Sequence, residues 1–296
     1  MVPDIALNDG TTIPQLGFGT LQIPESRQPS EAEIADAAGV FGEAFAIGYR
    51  HFDTAQSYGN EKAVGQAVAN SGVARGEVYL TSKLSNANHQ PGDVRRSFDE
   101  TMAKLGAEYV DLFLIHWPLP TRYDGDFVST WRAMTELVGD GRLRSVGVSN
   151  FQPAHLDRIR AEVGVTPAVN QIEVHPYFVN TVARDACVAH GIAVEAWSPL
   201  GRGELLKDAA ITAIAGDCGR TAAQVVLRWH VQHGHIVFPK SSRRERMAEN
   251  FDIFSFELTA EQMSTIDGLD RGEAGRVGPN PDTFDWIPSA ETPNPR

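Results

Sequence analysis

The chain has 296 residues, 42% of them hydrophobic, and a formal net charge of −12. That length and apolar content suffice for a large core and suit one α/β barrel, although two domains would also fit. The acidic balance excludes a nucleic-acid footprint, which needs clustered Lys and Arg on a basic face; a small anion could still be held in a local basic pocket.

Met1 to Asp9 lacks the basic-then-apolar pattern of a signal peptide, and no run approaches the roughly 18 apolar residues of a membrane span. The expectation is a soluble cytoplasmic protein with no membrane partner. Cys187 and Cys218 are the only cysteines. They lack C-x-x-C spacing and are read as reduced thiols without a catalytic role.

In chain order, Ile5, Leu7 and Ile13 flank Asn8-Asp9-Gly10, a hairpin-turn signal, and Leu16 to Thr20 reads as a strand. Helical periodicity runs from Glu31 to Ala46, a strand from Tyr49 to Asp53, a helix from Asn60, its expected cap, to Asn70, and a strand from Val78 to Ser82. Helices are predicted at about 92–105, 127–139, 153–162 and 181–190. They alternate with apolar runs at Val110 to Ile115, Leu143 to Val148, Ala168 to Ile172 and Ile192 to Ala196. Helical stretches between about 208 and 234 lead to the run Ile236 to Phe238, and helices near 243–250 and 260–268 follow.

Counting Leu16 to Thr20 as the first, eight strands alternate with helices. This is the count for a (β/α)8 TIM barrel with an N-terminal hairpin, spanning residues 1–296 as a single domain. An open doubly wound sheet is the alternative. Gly17-Phe18-Gly19 lacks the third glycine of a dinucleotide-binding turn and is soon followed by Pro24, so that fingerprint is absent. From Gly275 to Arg296 the chain is rich in Pro, Gly and Asn, as befits a C-terminal loop over the barrel mouth.

Polar residues recur just after these apolar runs: Asp53, Lys83, His116, Ser149 with Asn150, Gln171, Trp197 with Ser198, and Lys240. Strand closure would gather them at one rim, where parallel α/β folds place their chemistry. Among them, and with Tyr58 in the loop after Asp53, a proton-transfer set is visible. An ammonium at Lys83 would lower the Tyr58 phenol, Asp53 would keep that ammonium charged, and His116 would orient a reacting carbonyl oxygen. A metal reading of His51, Asp53, His116 and His175 finds no His-x-His or His-Glu-x-x-His spacing, so no metal site is expected. His175, His230, His233 and His235 read as structural.

The stretch Gly48 to Gly65, with Asp53, Glu61 and Gly65 in step, resembles the first signature of the aldo-keto reductase superfamily. Arg144 to Phe151 resembles the second, and Pro239-Lys240-Ser241 with Arg246, Glu249 and Asn250 the third; Phe238 alone stands where an aliphatic residue is usual. Within that family the chain is most similar to bacterial 2,5-diketo-D-gluconate reductases. The resemblance implies NADPH-dependent reduction of a small-molecule carbonyl by hydride transfer, with Tyr58 as general acid, Lys83 and Asp53 tuning it, and His116 orienting the substrate. It further implies that Ser149, Asn150 and Gln171 bond the nicotinamide amide and that Trp197 stacks on the ring. Ser198, Leu200 and Gly201 would cover the pyrophosphate, and Gly19, Thr20 and Leu21 would line the cofactor from the first strand. Lys240, Ser241, Ser242, Arg243 and Arg246 would hold the 2′-phosphate, and Glu249 and Asn250 the adenine. A monomer is also implied.

The basic cluster of Lys240, Arg243, Arg244 and Arg246 in an acidic chain supports a phosphate cradle on physical grounds too. Departures fall in the substrate pocket: Ser85 stands where many members place a tryptophan, and Leu21 where an aromatic is common, which predicts a wider or wetter pocket. Trp117 is the expected apolar wall, with Tyr123, Phe284 and Trp286 contributing from loops. Small aldehydes, α-dicarbonyls and keto-sugars are the expected substrates. A cofactor-binding regulatory subunit is the competing class, and the intact set Asp53, Tyr58, Lys83 and His116 favours the enzyme.

Overall fold

In the computed structural model, which describes residues 2–288, a short antiparallel hairpin of β1 (Asp4–Ala6) and β2 (Thr12–Pro14) precedes the main sheet. Eight parallel strands follow: β3 (Phe18–Gly19), β4 (His51–Asp53), β5 (Tyr79–Leu84), β6 (Val110–Ile115), β7 (Leu143–Ser149), β8 (Val169–Glu173), β9 (Ala193–Trp197) and β10 (Ile236–Val237). Each pairs with its sequence neighbour. The two outer strands are drawn together by a parallel bridge between Leu16 and Val237, with Gly17 N donating to Val237 O (2.8 Å) and Val237 N to Gln15 O (3.0 Å). That seam completes the (β/α)8 ring and removes the sheet edges.

The connecting helices are α1 (Glu31–Ile47), α2 (Glu61–Asn70), α3 (Pro91–Leu105), α4 (Phe127–Glu136), α5 (Pro153–Val163), α6 (Thr181–Ala189), α7 (Ala209–Cys218), α8 (Ala222–Gln232), α9 (Arg244–Phe251) and α10 (Ala260–Asp267). Their starts follow local chemistry. Ser30 and Glu33 form a reciprocal capping box at α1, Thr221 and Gln224 do the same at α8, and Pro opens α3 and α5. Asn60 is the N-cap residue of α2, as expected, but its side chain makes no capping bond. Its side chain accepts from Thr54 Oγ1 (2.6 Å) and donates to Thr20 O and Ile23 O, so it ties the loop after β3 to the end of β4 instead.

Two layers of core result. Between sheet and helices, Ile34, Phe41 and Phe45 of α1 pack on Phe18 and Phe52, the Phe45 and Phe52 rings stacking at 4.3 Å. Inside the barrel, Leu112, Leu114, Val169 and Ile236 meet Leu7 and Ile13 of the hairpin. The hairpin is thus the floor of the barrel at the N-terminal end of the strands, pinned by Asn8 Nδ2 on Pro167 O (2.8 Å). Burying those two aliphatic side chains contributes on the order of 2 kcal/mol each. Among the described residues no helix is long and apolar enough to cross a membrane.

Candidate active site

The ring brings Asp53, Tyr58, Lys83 and His116 together at its C-terminal rim. Parallel register sets Asp53 beside Gly19 on one side and Thr81 on the other, two residues before Lys83. Beyond β4 the chain makes a tight helical turn at Gln56–Tyr58 and reverses at Gly59, whose φ is +76°. A side chain at position 59 would collide with the backbone of Arg27, so only glycine lets the loop after β3 pass beside Tyr58. Lys83 Nζ, wholly buried, donates to Asp53 Oδ1 (2.6 Å) and Thr54 O (2.9 Å) and reaches Tyr58 Oη at 3.4 Å. The rings of Tyr58 and His116 meet edge to face with centroids 5.6 Å apart.

Burial dominates the electrostatics. It raises the Tyr58 phenol above its ordinary range despite the opposing charge of Lys83, which corrects the expected net lowering. Burial alone would lower Lys83, but Asp53 first and then Tyr58 more than reverse that, leaving a firmly charged ammonium. Asp53 is raised by burial against the pull of Lys83 and Gln171. His116 lies well below the usual imidazole range, through burial and then the cations Lys83 and Arg27, and is neutral near pH 7. The phenol therefore keeps its proton, and the imidazole offers hydrogen bonds without charge.

Around these four lie the other expected site residues. Thr20 directs both its N–H and its hydroxyl to Asp53 O, and Leu21 is 40% exposed at the rim. Gly19 runs against Phe238 O so closely that a Cβ has no room. Ser149 Oγ donates to Gln171 O (2.8 Å), while Asn150, held at φ +65°, donates to His116 O (3.0 Å) and accepts from Trp197 Nε1 (2.8 Å). Gln171 Nε2 is already bonded to Asp53 Oδ2 and Glu195 Oε2, which leaves its Oε1 for a ligand. Ser198 (φ +50°), Leu200 and Gly201 begin the loop that continues into a helical turn at Gly201–Lys207.

At the start of α9, Ser241 accepts from Arg243 N (3.0 Å) and shapes the turn, with Ser242 exposed beside it. Lys240, Arg243 and Arg246 are exposed and form no ion pair among the described residues, whereas Arg244 is engaged by Glu43. Arg244 thus leaves the basic cluster expected here. Three uncommitted cations in an acidic chain fit the phosphates of a dinucleotide. Glu249 is exposed and Asn250 buried on the same helix.

The C-terminal segment crosses the mouth. Val277 N and Gly278 N both donate to the Glu173 carboxylate (2.6 and 3.0 Å), and Gly278 lies against the Trp197 ring. Phe284 then packs on Trp117 at 4.2 Å, and Asn86 Nδ2 donates to Trp286 O (2.8 Å). Tyr123 closes the side through its hydroxyl on Asn86 O (2.7 Å). The last part of the expected loop, residues 289–296, lies outside the described residues. Ser85 is buried, its N–H on Gln56 Oε1 and its hydroxyl accepting from Ala87 N, so it is spent on the local loop. A separate cleft of about 800 Å³ at the floor, lined by Arg50, Tyr79 and Arg144, contains none of this chemistry.

Three groups near the site escaped sequence reasoning: Glu173, which holds the tail; Glu195, wholly buried beside Gln171; and Arg27. An acid within the apolar run Val194–Ala196 was the only available signal for Glu195. Among the described residues no cluster of metal-binding side chains occurs.

This barrel, with a buried Lys–Asp pair at a phenol on its C-terminal rim, defines a carbonyl-reductase architecture. A family model, that of the aldo/keto reductase family, matches residues 15–271. An aldo-keto reductase of Mycolicibacterium smegmatis is 48% identical over 286 residues, covering 97% of this chain and 99% of that protein. The glyoxal reductase of Bacillus subtilis is 41% identical, covering 94% and 96%. The crystal structure of a Bombyx mori aldo-keto reductase in complex with NADP superposes with a TM-score of 0.83 at 36% identity, covering 91% of this chain and 93% of that one. The chain belongs to the aldo/keto reductase family and is an oxidoreductase of the carbonyl–alcohol pair.

Proposed function

We propose that residues 1–296 work as a single barrel domain, and as a monomer, in reducing small aldehydes, α-dicarbonyls and keto-sugars to alcohols with NADPH. The observation that carries the reading is Lys83 Nζ shared between Asp53 Oδ1 (2.6 Å) and Tyr58 Oη (3.4 Å). The substrate carbonyl oxygen sits between Tyr58 Oη and the neutral His116 imidazole, which orients it. Tyr58 delivers its proton to that oxygen, and the Lys83 ammonium stabilises the phenolate left behind. NADPH, when bound, supplies the hydride.

Ser149, Asn150 and the free Oε1 of Gln171 hold the nicotinamide amide, and Trp197 takes the ring face. Gly19, Thr20 and Leu21 border the cofactor at the end of β3 and just beyond it, and Ser198, Leu200 and Gly201 cover the pyrophosphate. Lys240, Ser241, Ser242, Arg243 and Arg246 hold the 2′-phosphate, which selects NADP over NAD, with Glu249 and Asn250 at the adenine. Trp117 walls the substrate. The glyoxal reductase relative supports α-dicarbonyl substrates, and the resemblance to 2,5-diketo-D-gluconate reductases supports keto-sugars.

The deciding experiment is NADPH consumption over methylglyoxal, simple aldehydes, diketones and keto-sugars, with NADH and Tyr58→Phe alongside. Turnover that prefers NADPH and disappears in the variant is expected. Tight NADPH binding without turnover on any substrate would reject the enzymatic reading.

A further inference from the structure

Ten buried side-chain polar atoms among the described residues lack a hydrogen-bond partner, and five of them belong to three residues near His116: all three guanidinium nitrogens of Arg27, Asn86 Oδ1 and His89 Nε2. The arrangement is not a surface accident. The Arg27 backbone fills the space beside Gly59, next to Tyr58, and its guanidinium lies over the Trp286 ring at 4.4 Å. Asn86 holds Trp286 by its carbonyl, and His89 stacks on Tyr123 at 5.3 Å. Arg27 and His89 are both close enough to depress the His116 imidazole.

The chain carries 38 acidic side chains, yet Arg27 pairs with none of the described ones. Arg27 as a whole is half-buried, yet its guanidinium nitrogens are covered and find no acceptor among the described residues, which is costly, and burial lowers its basicity. Stacking on Trp286 stabilises the cation's face but leaves its in-plane donors unsatisfied. Those donors form a planar fork whose partner is a two-oxygen anion. The place where that anion would sit is beside the carbonyl site.

We propose that Arg27, with Asn86 and His89 around it, is an anion subsite of the substrate pocket that recognises a carboxylate borne by the carbonyl substrate. Trp286 holds the fork in place, Asn86 Oδ1 accepts from a substrate hydroxyl, and His89 completes the polar lining. The preferred substrates are then aldehydo- or keto-acids rather than simple neutral carbonyls, a refinement that rests on the reductase reading.

The test compares wild type, Arg27→Met and Arg27→Lys on two matched pairs: para-carboxybenzaldehyde with para-nitrobenzaldehyde, and succinic semialdehyde with butanal. A nitro group is a neutral, planar, two-oxygen copy of a carboxylate, so the change in the kcat/KM ratio within a pair isolates the charge. In Arg27→Met the anionic-to-neutral ratio is expected to fall about ten-fold or more, chiefly through KM, with partial recovery in Arg27→Lys. An equal loss on both members of each pair would make Arg27 only a strap for Trp286 and overturn the subsite. The two readings fail separately. If wild type reduces no aldehyde, the reductase reading fails, and calorimetric titration of para-carboxybenzaldehyde into NADP-loaded protein still decides the subsite. Binding weakened by Arg27→Met supports it; binding that is absent or equal in the variant overturns it.

Discussion

Gln171 Nε2 donates to Glu195 Oε2 at 2.7 Å, and the same nitrogen lies 2.8 Å from Asp53 Oδ2, so one amide bridges two buried carboxylates. Among the described residues Lys83 is the one ammonium that faces them, and Glu195 Oε1 finds no partner. Burial and then the Asp53 charge push Glu195 up to about 8. Between the unfolded carboxylate range and that value the folded chain holds a proton the unfolded chain has lost, so stability falls as pH rises through this window. Glu195→Gln removes this dependence. Urea unfolding is expected to find the variant gaining on wild type by a few kcal/mol between pH 5 and pH 9, and parallel curves would show that Glu195 is ionised throughout.

A phenol raised by burial makes a different prediction about rate. In the proposed role of general acid Tyr58 must be protonated, so reduction is expected to run at full rate below its pKa and to decline as pH rises through it. Because that pKa is displaced upward, kcat is expected to stay level across neutral pH and decline only in the strongly alkaline range. Tyr58→Phe should lower kcat by about 10²- to 10⁴-fold while NADPH affinity changes little. A decline beginning near pH 7 would assign the proton to an imidazole instead.

Much of this site was legible because motif and period coincide with strand ends: Asp53, Lys83, His116, Ser149 and Gln171 each follow an apolar run, and the barrel does the rest. What escaped depended on partners remote in sequence. Asn60 caps α2 by position, but nothing local reveals that its side chain is spent on Thr20 and Ile23. Arg244 counts toward the basic cluster in sequence because nothing local reveals Glu43, some two hundred positions away. The direction of the Tyr58 shift is not legible in sequence, which shows the ammonium nearby but not the depth of burial, the larger effect. Arg27 carried no signal at all in a loop of mixed composition. Its meaning arises only from Gly59, Trp286 and the absence of a described acid.

The buried pair of Lys83 and Asp53 separates stability from catalysis. Removing one partner leaves an uncompensated charge in the barrel, so Lys83→Met is expected to cost about 3–5 kcal/mol in urea unfolding. Lys83→Met combined with Asp53→Asn should recover much of that loss, since neither charge remains. Reduction should stay impaired in both variants, because the phenolate formed at Tyr58 then has no cation beside it. Restoration of turnover in the double variant would show that the pair serves folding alone.

The tail offers the last test. Glu173 clamps Val277 and Gly278 through two backbone N–H groups, and Gly278 is pressed on Trp197, which in turn bonds Asn150. Beyond the clamp, Phe284 and Trp286 reach Trp117 and Arg27 on the substrate side. Loosening the clamp should therefore act on substrate retention before proton transfer. Glu173→Gln keeps the shape but leaves one acceptor oxygen, so one of the two backbone N–H groups loses its partner and the other bond is no longer charge-assisted. It is expected to raise KM several-fold with kcat within about two-fold of wild type. Truncation before Pro279 should raise KM further while thermal unfolding moves little, because Phe284 and Trp286 line the mouth and leave the main core intact. A truncated chain with unchanged KM would show that the segment merely rests on the barrel, and the substrate pocket would then have to be closed by Trp117 and Leu21 alone.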